Sequence, residues 1–181
     1  MVDAGYFAKQ IEPKPEFLNA PAVLEICSVS ECISSGPEGW IEHWLHNEFG
    51  WFNRAVDAMR VIPPGHESRY RLFGYRLHPE IFRSGNRTPL TIPADVRPEP
   101  IPSTFRSLGF DSLNKSMESV LGLECSPLSC NSMATEIVVN EFCLFPVLDD
   151  AIVGAERFSR EQPEPGDYYV VEVLEHKSDA A

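Results

Sequence analysis

The clearest hydrophobic pattern of the chain lies between residues 148 and 161. Apolar side chains recur there at helical spacing: Leu148, Ala151, Ile152, Ala155 and Phe158. The pattern predicts an amphipathic helix over Leu148 to Glu161, with Asp149 and Asp150 near its positive N-terminal end and Pro163 beyond its C-terminal end. Gly154 weakens this helix but lies off the predicted apolar stripe.

Two segments have the composition of β-strands. They run from Tyr70 to Leu77 and from Asp167 to Glu175, and the second (DYYVVEVLE) is so rich in aromatic and β-branched residues that it predicts a central strand. Short apolar runs predict three further strands: Ala22 to Ser28, Leu121 to Glu124, and Phe142 to Phe145.

Helical spacing recurs less regularly from Glu38 to Met59, where Gly50 is predicted to separate two helices. The apolar positions of this stretch are Ile41, Trp44, Leu45, Phe49 and Phe52. A further short helix is predicted from Asn131 to Glu136. Six prolines interrupt the stretch from His78 to Pro102, which is therefore predicted to be a long loop packed on the surface.

These elements do not alternate regularly enough for a doubly wound fold, so an α+β class is predicted. We expect a single domain with a mixed or antiparallel sheet, a few helices packed on it and long Pro-rich loops. The 181 residues, 43% of them hydrophobic, suit one domain with its own core. Residues 1–21, with three prolines, are predicted to form an extended N-terminal arm, residues 22–177 the domain, and residues 178–181 a disordered tail.

The formal net charge of the chain is −12 at pH 7. Such an acidic surface repels phosphate groups, which argues against direct binding of nucleic acid or of anionic membranes. The apolar runs are far shorter than the ~20 residues of a membrane-spanning helix, and residues 1–5 lack the basic start of a signal peptide. Together with the odd number of cysteines, five, these features predict a cytoplasmic protein with free thiols.

No motif along the chain is specific enough to name a reaction, and the most unusual string is ECSPLSCN at residues 124–131. It lies between a predicted strand and a predicted helix start, where the positive helix end could lower the pKa of a thiol. Cys125 and Cys130 are therefore candidate catalytic nucleophiles. The candidate ligand-binding residues of this string are Glu124, Ser126, Ser129 and Asn131. A binding surface without catalysis, and a tight turn of small residues with a structural role, are the alternatives.

Two spacings suggest a metal site only weakly. Cys27 and Cys32 repeat the C-S-x3-C spacing found in ECSPLSCN, and four cysteines can bind zinc, but this gap is at the loose end of the usual range. His43 and His46 lie three residues apart within a tryptophan-rich stretch, where partly buried histidines lining an aromatic core are the simpler interpretation. We therefore predict no metal and no cofactor.

Eight arginines, no lysine and four acidic residues lie between Arg60 and Arg106. Arginine pairs bidentately with carboxylate and phosphate groups. The segment could therefore pair internally with the acidic flanks, form a pocket for an anionic ligand or contact an acidic partner. The candidates for a pocket are Arg69, Arg71 and Arg76, on or beside a predicted strand.

Two functions are consistent with the sequence. The first is a non-catalytic acidic interaction domain, a binder or inhibitor of a basic partner protein, for which the aromatic-rich stretch from Trp40 to Phe52 is a candidate surface. The alternative is an enzyme with a thiol nucleophile at ECSPLSCN, a histidine from elsewhere as its base, and arginines that hold an anionic substrate. A sensor that uses the arginines without chemistry is a third hypothesis.

Overall fold

The structure is a computed structural model, and it describes residues 1–30, 35–115 and 125–177. Within these residues lie five strands: β1 (Val2–Lys9), β2 (Arg71–Arg83), β3 (Asn86–Pro89), β4 (Phe105–Lys115) and β5 (Asp167–His176). The α-helices of this part of the chain are α1 (Ala55–Arg60), α2 (Pro127–Cys130) and α3 (Leu148–Glu161). Three single 3-10 turns accompany them: Trp40–His43, Glu67–Arg69 and Met133–Thr135.

The strands form one antiparallel sheet in the order β1-β2-β5-β4, and β3 pairs with the end of β2. This arrangement confirms the predicted α+β class. β5 is central, as its composition predicts, and its side chains alternate between the two faces. Val171 and Val173 belong to one apolar cluster, whereas Tyr168 and Val170 belong to a second. Burial on both faces explains why the sequence of β5 is almost continuously apolar.

Each face of the sheet is covered by a different part of the chain. The first cluster joins Phe73 and Tyr75 of β2 to the aromatic residues of segment 40–52. The second cluster joins β5 to the buried side of α3, including Ala155 and Phe158. The chain therefore has two apolar layers with the sheet between them, as expected for this class.

α3 has the bounds that the sequence predicts, but its buried face is wider. Gly154, predicted to lie off the apolar stripe, is buried, and the ring of Phe145 lies directly over it. A Cβ atom at this position would lie 2.4 Å from Phe145 Cζ. The glycine therefore serves a close approach between the helix and the preceding segment, which its spacing alone does not reveal.

The N-terminal residues differ from the predicted arm. Val2–Lys9 forms β1, which pairs along its length with β2, and the residues from Ala4 to Lys9 are all buried. The prolines that suggested an extended lead-in begin only at Pro13, after the strand has ended. Small and polar residues in this strand hid its pattern.

Two predicted strands are irregular segments instead. Residues 22–28 form no strand: they run beside residues 141–142, where Leu24 N–H donates to Glu141 O and Cys27 N–H donates to Phe142 O. Phe142 to Phe145 contributes only an isolated bridge between Phe145 and Phe110 of β4. Both segments are apolar because they cover the sheet, and burial alone does not distinguish a strand from a packed loop. The predicted strand from Leu121 to Glu124 and the predicted tail lie outside the described residues.

The Pro-rich stretch contains a hairpin that the sequence analysis assigned to a loop. β2 continues through Pro79 to Arg83, and Pro79 lies where the pairing of β2 with β5 shifts its register, a position that tolerates a missing N–H. Ser84 and Gly85, with φ of 49° and 78°, make the two-residue turn into β3. Residues 90–104 carry no helix or strand.

The stretch from Glu38 to Met59 is less helical than predicted. It contains the 3-10 turn Trp40–His43 and α1, with irregular chain around Gly50. The short helix predicted over Asn131 to Glu136 is present as the 3-10 turn Met133–Thr135, preceded by α2. In the part of the chain that the structure describes, no helix is both long enough and apolar enough to cross a membrane.

Replacement of Gly154 by alanine tests the close packing of α3. Overpacking costs up to about 3 kcal/mol, whereas alanine gains about 1 kcal/mol in helix propensity, so we expect the free energy of unfolding to fall by about 2 kcal/mol. Urea denaturation measures this change. Val153→Ala, at the neighbouring and 62% exposed position, is the control and should change it by less than about 0.5 kcal/mol. Equal stability of Gly154→Ala and the wild type would contradict the packing.

Candidate functional site

The two serine-cysteine strings of the sequence meet at one buried carboxylate. Asp111 of β4 is 0% exposed. Its Oδ2 accepts hydrogen bonds from Ser28 Oγ at 2.8 Å and from Val29 N–H at 3.1 Å. Its Oδ1 accepts from Ser126 Oγ at 2.6 Å and from Ser112 N–H at 2.9 Å. Four donors from three separate segments therefore converge on one side chain, and we call this set the Asp111 cluster.

A buried lysine continues the Asp111 cluster on the side of segment 28–30. Lys9, the last residue of β1, is 1% exposed. Its ammonium group donates to the carbonyl oxygens of Ser28, Val29 and Ser30 at 3.0, 2.8 and 2.6 Å. A lysine is almost never buried unless its charge is met by hydrogen bonds. Segment 28–30 therefore satisfies the lysine with its carbonyl groups and Asp111 with its donor groups.

Burial and hydrogen bonding act in opposite directions on Asp111. Complete burial raises its pKa because the charged form loses its hydration, while the hydrogen bonds from Ser126 and Ser28 and from the backbone N–H groups lower it. The net result is a pKa above the ordinary value. The hydroxyl donors therefore matter most when the carboxyl group is ionised.

Cys130, a candidate nucleophile, lies beside the Asp111 cluster, but not at the positive end of a helix. It is the last residue of α2, so the dipole of this short helix does not favour its thiolate, contrary to the prediction. Its Sγ lies 3.3 Å from Ser30 Oγ and 3.9 Å from Ser129 Oγ. Cys125, partly buried, precedes Ser126, and its N–H donates to Asn114 Oδ1.

The other residues of ECSPLSCN have unlike surroundings. Ser126 and Ser129 are buried, whereas Asn131 is exposed and its Nδ2 donates to Glu164 at 3.0 Å. Glu124 lies outside the described residues. The string is thus divided between the interior and the surface, and only Ser126 donates to Asp111.

The remaining described cysteines are buried thiols. Burial raises the pKa of both Cys27 and Cys143 to about 12, so neither is a nucleophile at neutral pH. Cys32, the fourth member of the hypothetical zinc set, lies outside the described residues. No group of three or more histidine, cysteine, aspartate and glutamate side chains that could hold a metal occurs in residues 1–30, 35–115 and 125–177.

Two of the three candidate arginines pair with acidic residues of the chain itself. Arg71 contacts Glu175 at 2.5 Å and Glu25 at 2.7 Å. Arg76 contacts Asp3 at 2.7 Å and Glu172 at 3.4 Å. The third, Arg69, is exposed at the end of a 3-10 turn. The internal pairing that the sequence left as one alternative therefore holds for Arg71 and Arg76.

The aromatic-rich stretch separates into a buried part and an exposed part. Trp40, Trp51 and Phe52 are in the core, whereas Trp44 is 81% exposed and Leu45 is 43% exposed. Helical spacing predicted one shared face for positions 41, 44 and 45. The 3-10 turn ends at His43, however, and Trp44 adopts a left-handed conformation with φ of 52°, which turns its side chain to solvent.

A hydrogen bond and a ring contact hold Trp44 in its exposed position. The Trp44 N–H donates to Ile41 O at 3.3 Å. The ring of His46 lies between the two tryptophans, stacked with Trp44 at 6.2 Å and edge-on to Trp40 at 5.1 Å. His46 is half-buried against these rings, in agreement with its simpler interpretation, whereas His43 is exposed.

The charged side chains near Trp44 in the sequence are acidic, and one cation lies beside them in the structure: Lys115 Nζ donates to Glu48 O at 3.4 Å. No lysine or arginine occurs between residues 15 and 53, and Glu38, Glu42 and Glu48 are all exposed. The backbone at Glu48 is held by Asp95, whose Oδ2 accepts its N–H at 2.8 Å. We call Trp44, Leu45 and these three glutamates the Trp44 surface.

Replacement of Ser126 by alanine tests the electrostatics of the Asp111 cluster. The folded-state pKa of Asp111 lies above its unfolded value of about 3.9, so ionisation of this group removes stability as the pH rises through that raised pKa. Loss of the Ser126 hydrogen bond raises the folded pKa further. We therefore expect Ser126→Ala to lower the free energy of unfolding more at pH 8 than at pH 5, by up to about 2 kcal/mol.

Denaturant titrations at the two pH values measure this difference. Ser107→Ala, an exposed position of the same strand β4, is the matched control and should have little effect at either pH. A loss that is the same at pH 5 and pH 8 would show that Ser126 does not act on an ionised carboxylate.

No family model matches this sequence, and no curated protein or solved structure matches the chain either. Its function must therefore be inferred from its own residues. The two features that carry chemistry are the buried Asp111 cluster with its neighbouring thiol and the exposed Trp44 surface.

Proposed function

We propose that the protein is a non-catalytic acidic interaction domain that binds a basic partner protein through the Trp44 surface. The single observation that carries this proposal is the exposure of Trp44 on an ordered turn among acidic side chains. Tryptophan is enriched at the energetic centres of protein interfaces. An exposed tryptophan side chain buries little apolar area in the free protein, so most of that area is available for contact with a partner.

The backbone at Trp44 supports the same proposal. A left-handed conformation is unfavourable for a bulky residue, and it persists only where the surroundings hold it. Here the hydrogen bond to Ile41 and the contact with His46 hold the turn. The strain gives no packing advantage to the isolated chain, because it moves the ring away from the core. Burial of the ring against a partner would offset this conformational strain.

The charge distribution favours a basic partner. With a net charge of −12 and three exposed glutamates close to Trp44 in the sequence, long-range attraction would speed the encounter with a positively charged surface. The same charge disfavours direct contact with nucleic acid. The four free cysteines among the described residues support a reducing compartment such as the cytoplasm, which we include in the proposal.

The first experiment is native mass spectrometry of the protein purified gently from its own host, followed by binding kinetics with the copurified protein. We expect a stoichiometric basic partner. Trp44→Ala should weaken its affinity about 30-fold, the loss of roughly 2 kcal/mol that is typical of an interface hot spot. Val56→Ala, a 48% exposed position of α1, is the control and should leave the affinity unchanged. Equal affinity of Trp44→Ala and the wild type would contradict the proposed surface.

The electrostatic part is tested separately with the same partner. Glu42→Gln combined with Glu48→Gln should lower the association rate and reduce its salt dependence, since charges around an interface act mainly on the encounter. A double variant with the same change in net charge, Asp149→Asn with Glu141→Gln, is the control. Both positions are exposed and neither belongs to the Trp44 surface. An association rate indifferent to ionic strength would exclude electrostatic attraction.

A thiol enzyme remains the second candidate, because Cys130 Sγ lies 3.3 Å from Ser30 Oγ beside the Asp111 cluster. This candidate requires an activated cysteine. In native alkylation with iodoacetamide, mapped by mass spectrometry, we expect Cys27 and Cys143 to be protected by burial. Cys130 should react no faster than a free small-molecule thiol if the interaction role is right, and a faster reaction at neutral pH would favour the enzyme.

A further inference from the structure

A cavity of about 350 Å³ lies where β4 begins and β5 ends. Its lining consists of Arg106, Glu175, His176 and Lys177. Three of these four side chains can carry positive charge, in a protein whose net charge is −12. The cavity therefore has more cationic than acidic side chains, and its chemistry differs from that of the Trp44 surface.

The Arg106 guanidinium and the His176 ring are held in place by contacts with the protein, whereas Lys177 is anchored through its backbone. Arg106 donates to Glu175 Oε2 from Nε at 3.1 Å and from Nη2 at 2.8 Å, and its guanidinium group lies 5.9 Å from the centre of the Phe142 ring. The His176 ring contacts Phe105 edge-on at 5.1 Å. The Lys177 N–H donates to Thr104 O at 3.0 Å, which fixes the backbone where β5 ends. Fixed donors lose less conformational entropy when a ligand binds.

Glu175, the acidic residue of the lining, is paired with two arginines. Glu175 is 8% exposed. Burial acts to raise its pKa, but the hydrogen bonds from Arg71 and Arg106 hold it below the ordinary value, so it is an anion at neutral pH. Arg71 lies on its other oxygen and is shared with Glu25. Among the described side chains of this cluster, Arg71, Arg106 and Lys177 therefore outnumber Glu25 and Glu175 by one positive charge.

We propose that this cavity binds a small phosphate-type oxyanion. The edge of Arg106 that does not face Glu175 provides planar N–H donors, and Lys177 provides a point charge. Arginine and lysine bind phosphate oxygens in these two ways. A dianion with tetrahedral oxygens can contact both groups at once, whereas a monocarboxylate offers one charge and two oxygens. The site is independent of the Trp44 surface and of the proposed partner.

The probe is inorganic phosphate, titrated into the full chain at pH 7.5 and constant ionic strength, with NMR chemical shifts of His176 and Lys177 as the readout. We expect saturable shifts confined to the cavity. Lys177→Gln should weaken phosphate binding about fivefold, the value of one partly exposed ion pair of about 1 kcal/mol. Arg97→Gln, an exposed arginine of the loop before β4, is the control for general charge effects and should bind as the wild type does.

Arg106→Gln gives a second variant, and it is expected to weaken binding more than Lys177→Gln because it removes the planar donors. Its fold is checked by thermal unfolding, since it also removes one partner of Glu175. Lys177→Gln keeps the proposal testable if the Arg106 variant does not fold. Non-saturating shifts, or equal weakening in Lys177→Gln and Arg97→Gln, would overturn the proposal. Acetate that binds as tightly as phosphate would overturn the preference for a dianion.

Discussion

The carboxylate of Asp111 is the point at which three distant parts of the chain are joined. It takes hydrogen bonds from segment 28–29, from its own strand β4 and from Ser126. A buried carboxylate with fewer donors would be costly, because desolvation of a charge exceeds the gain from one or two hydrogen bonds. The segments that supply these donors are therefore held next to Asp111. Moving any one of them leaves a buried oxygen of Asp111 without a hydrogen-bond donor.

This constraint replaces secondary structure where the chain has none. Residues 22–30 form no strand, yet from Ile26 to Ser30 they are buried. Their polar backbone is paired instead with Lys9, Asp111 and residues 141–142. A buried loop is acceptable only when each backbone group finds a partner, and here the Lys9 ammonium group and the Asp111 carboxyl group supply much of that pairing. The position of residues 22–30, which form no strand, thus depends on side-chain electrostatics, whereas the sheet depends on apolar burial.

The difference between these two halves explains what the sequence could predict. α3, β2 and β5 were predicted because amphipathic spacing and β-branched residues report their burial directly. β1 and β4 were missed, since β4 (FRSLGFDSLNK) contains polar side chains that face the buried cluster. The similar serine-cysteine strings were the visible signal of the Asp111 cluster. Their common partner is a single aspartate in a segment with no distinctive pattern, and only the tertiary structure brings it to them.

Residues of one type that cluster in the sequence can be paired within the protein or left exposed on its surface, as the arginines and the tryptophans show. The arginine-only segment left internal pairing, an anion pocket and an acidic partner as alternatives, and Arg71, Arg76, Arg83 and Arg87 contact the chain's own acids. These contacts consume positive charge, so the acidic surplus remains on surfaces such as the one around Trp44. Trp44 could have joined Trp40 in the core by continuing the helical turn. One left-handed residue prevents this, and the ring is left exposed in a stretch of the chain with exposed glutamates, an arrangement whose apolar and electrostatic energies would both improve against a basic surface.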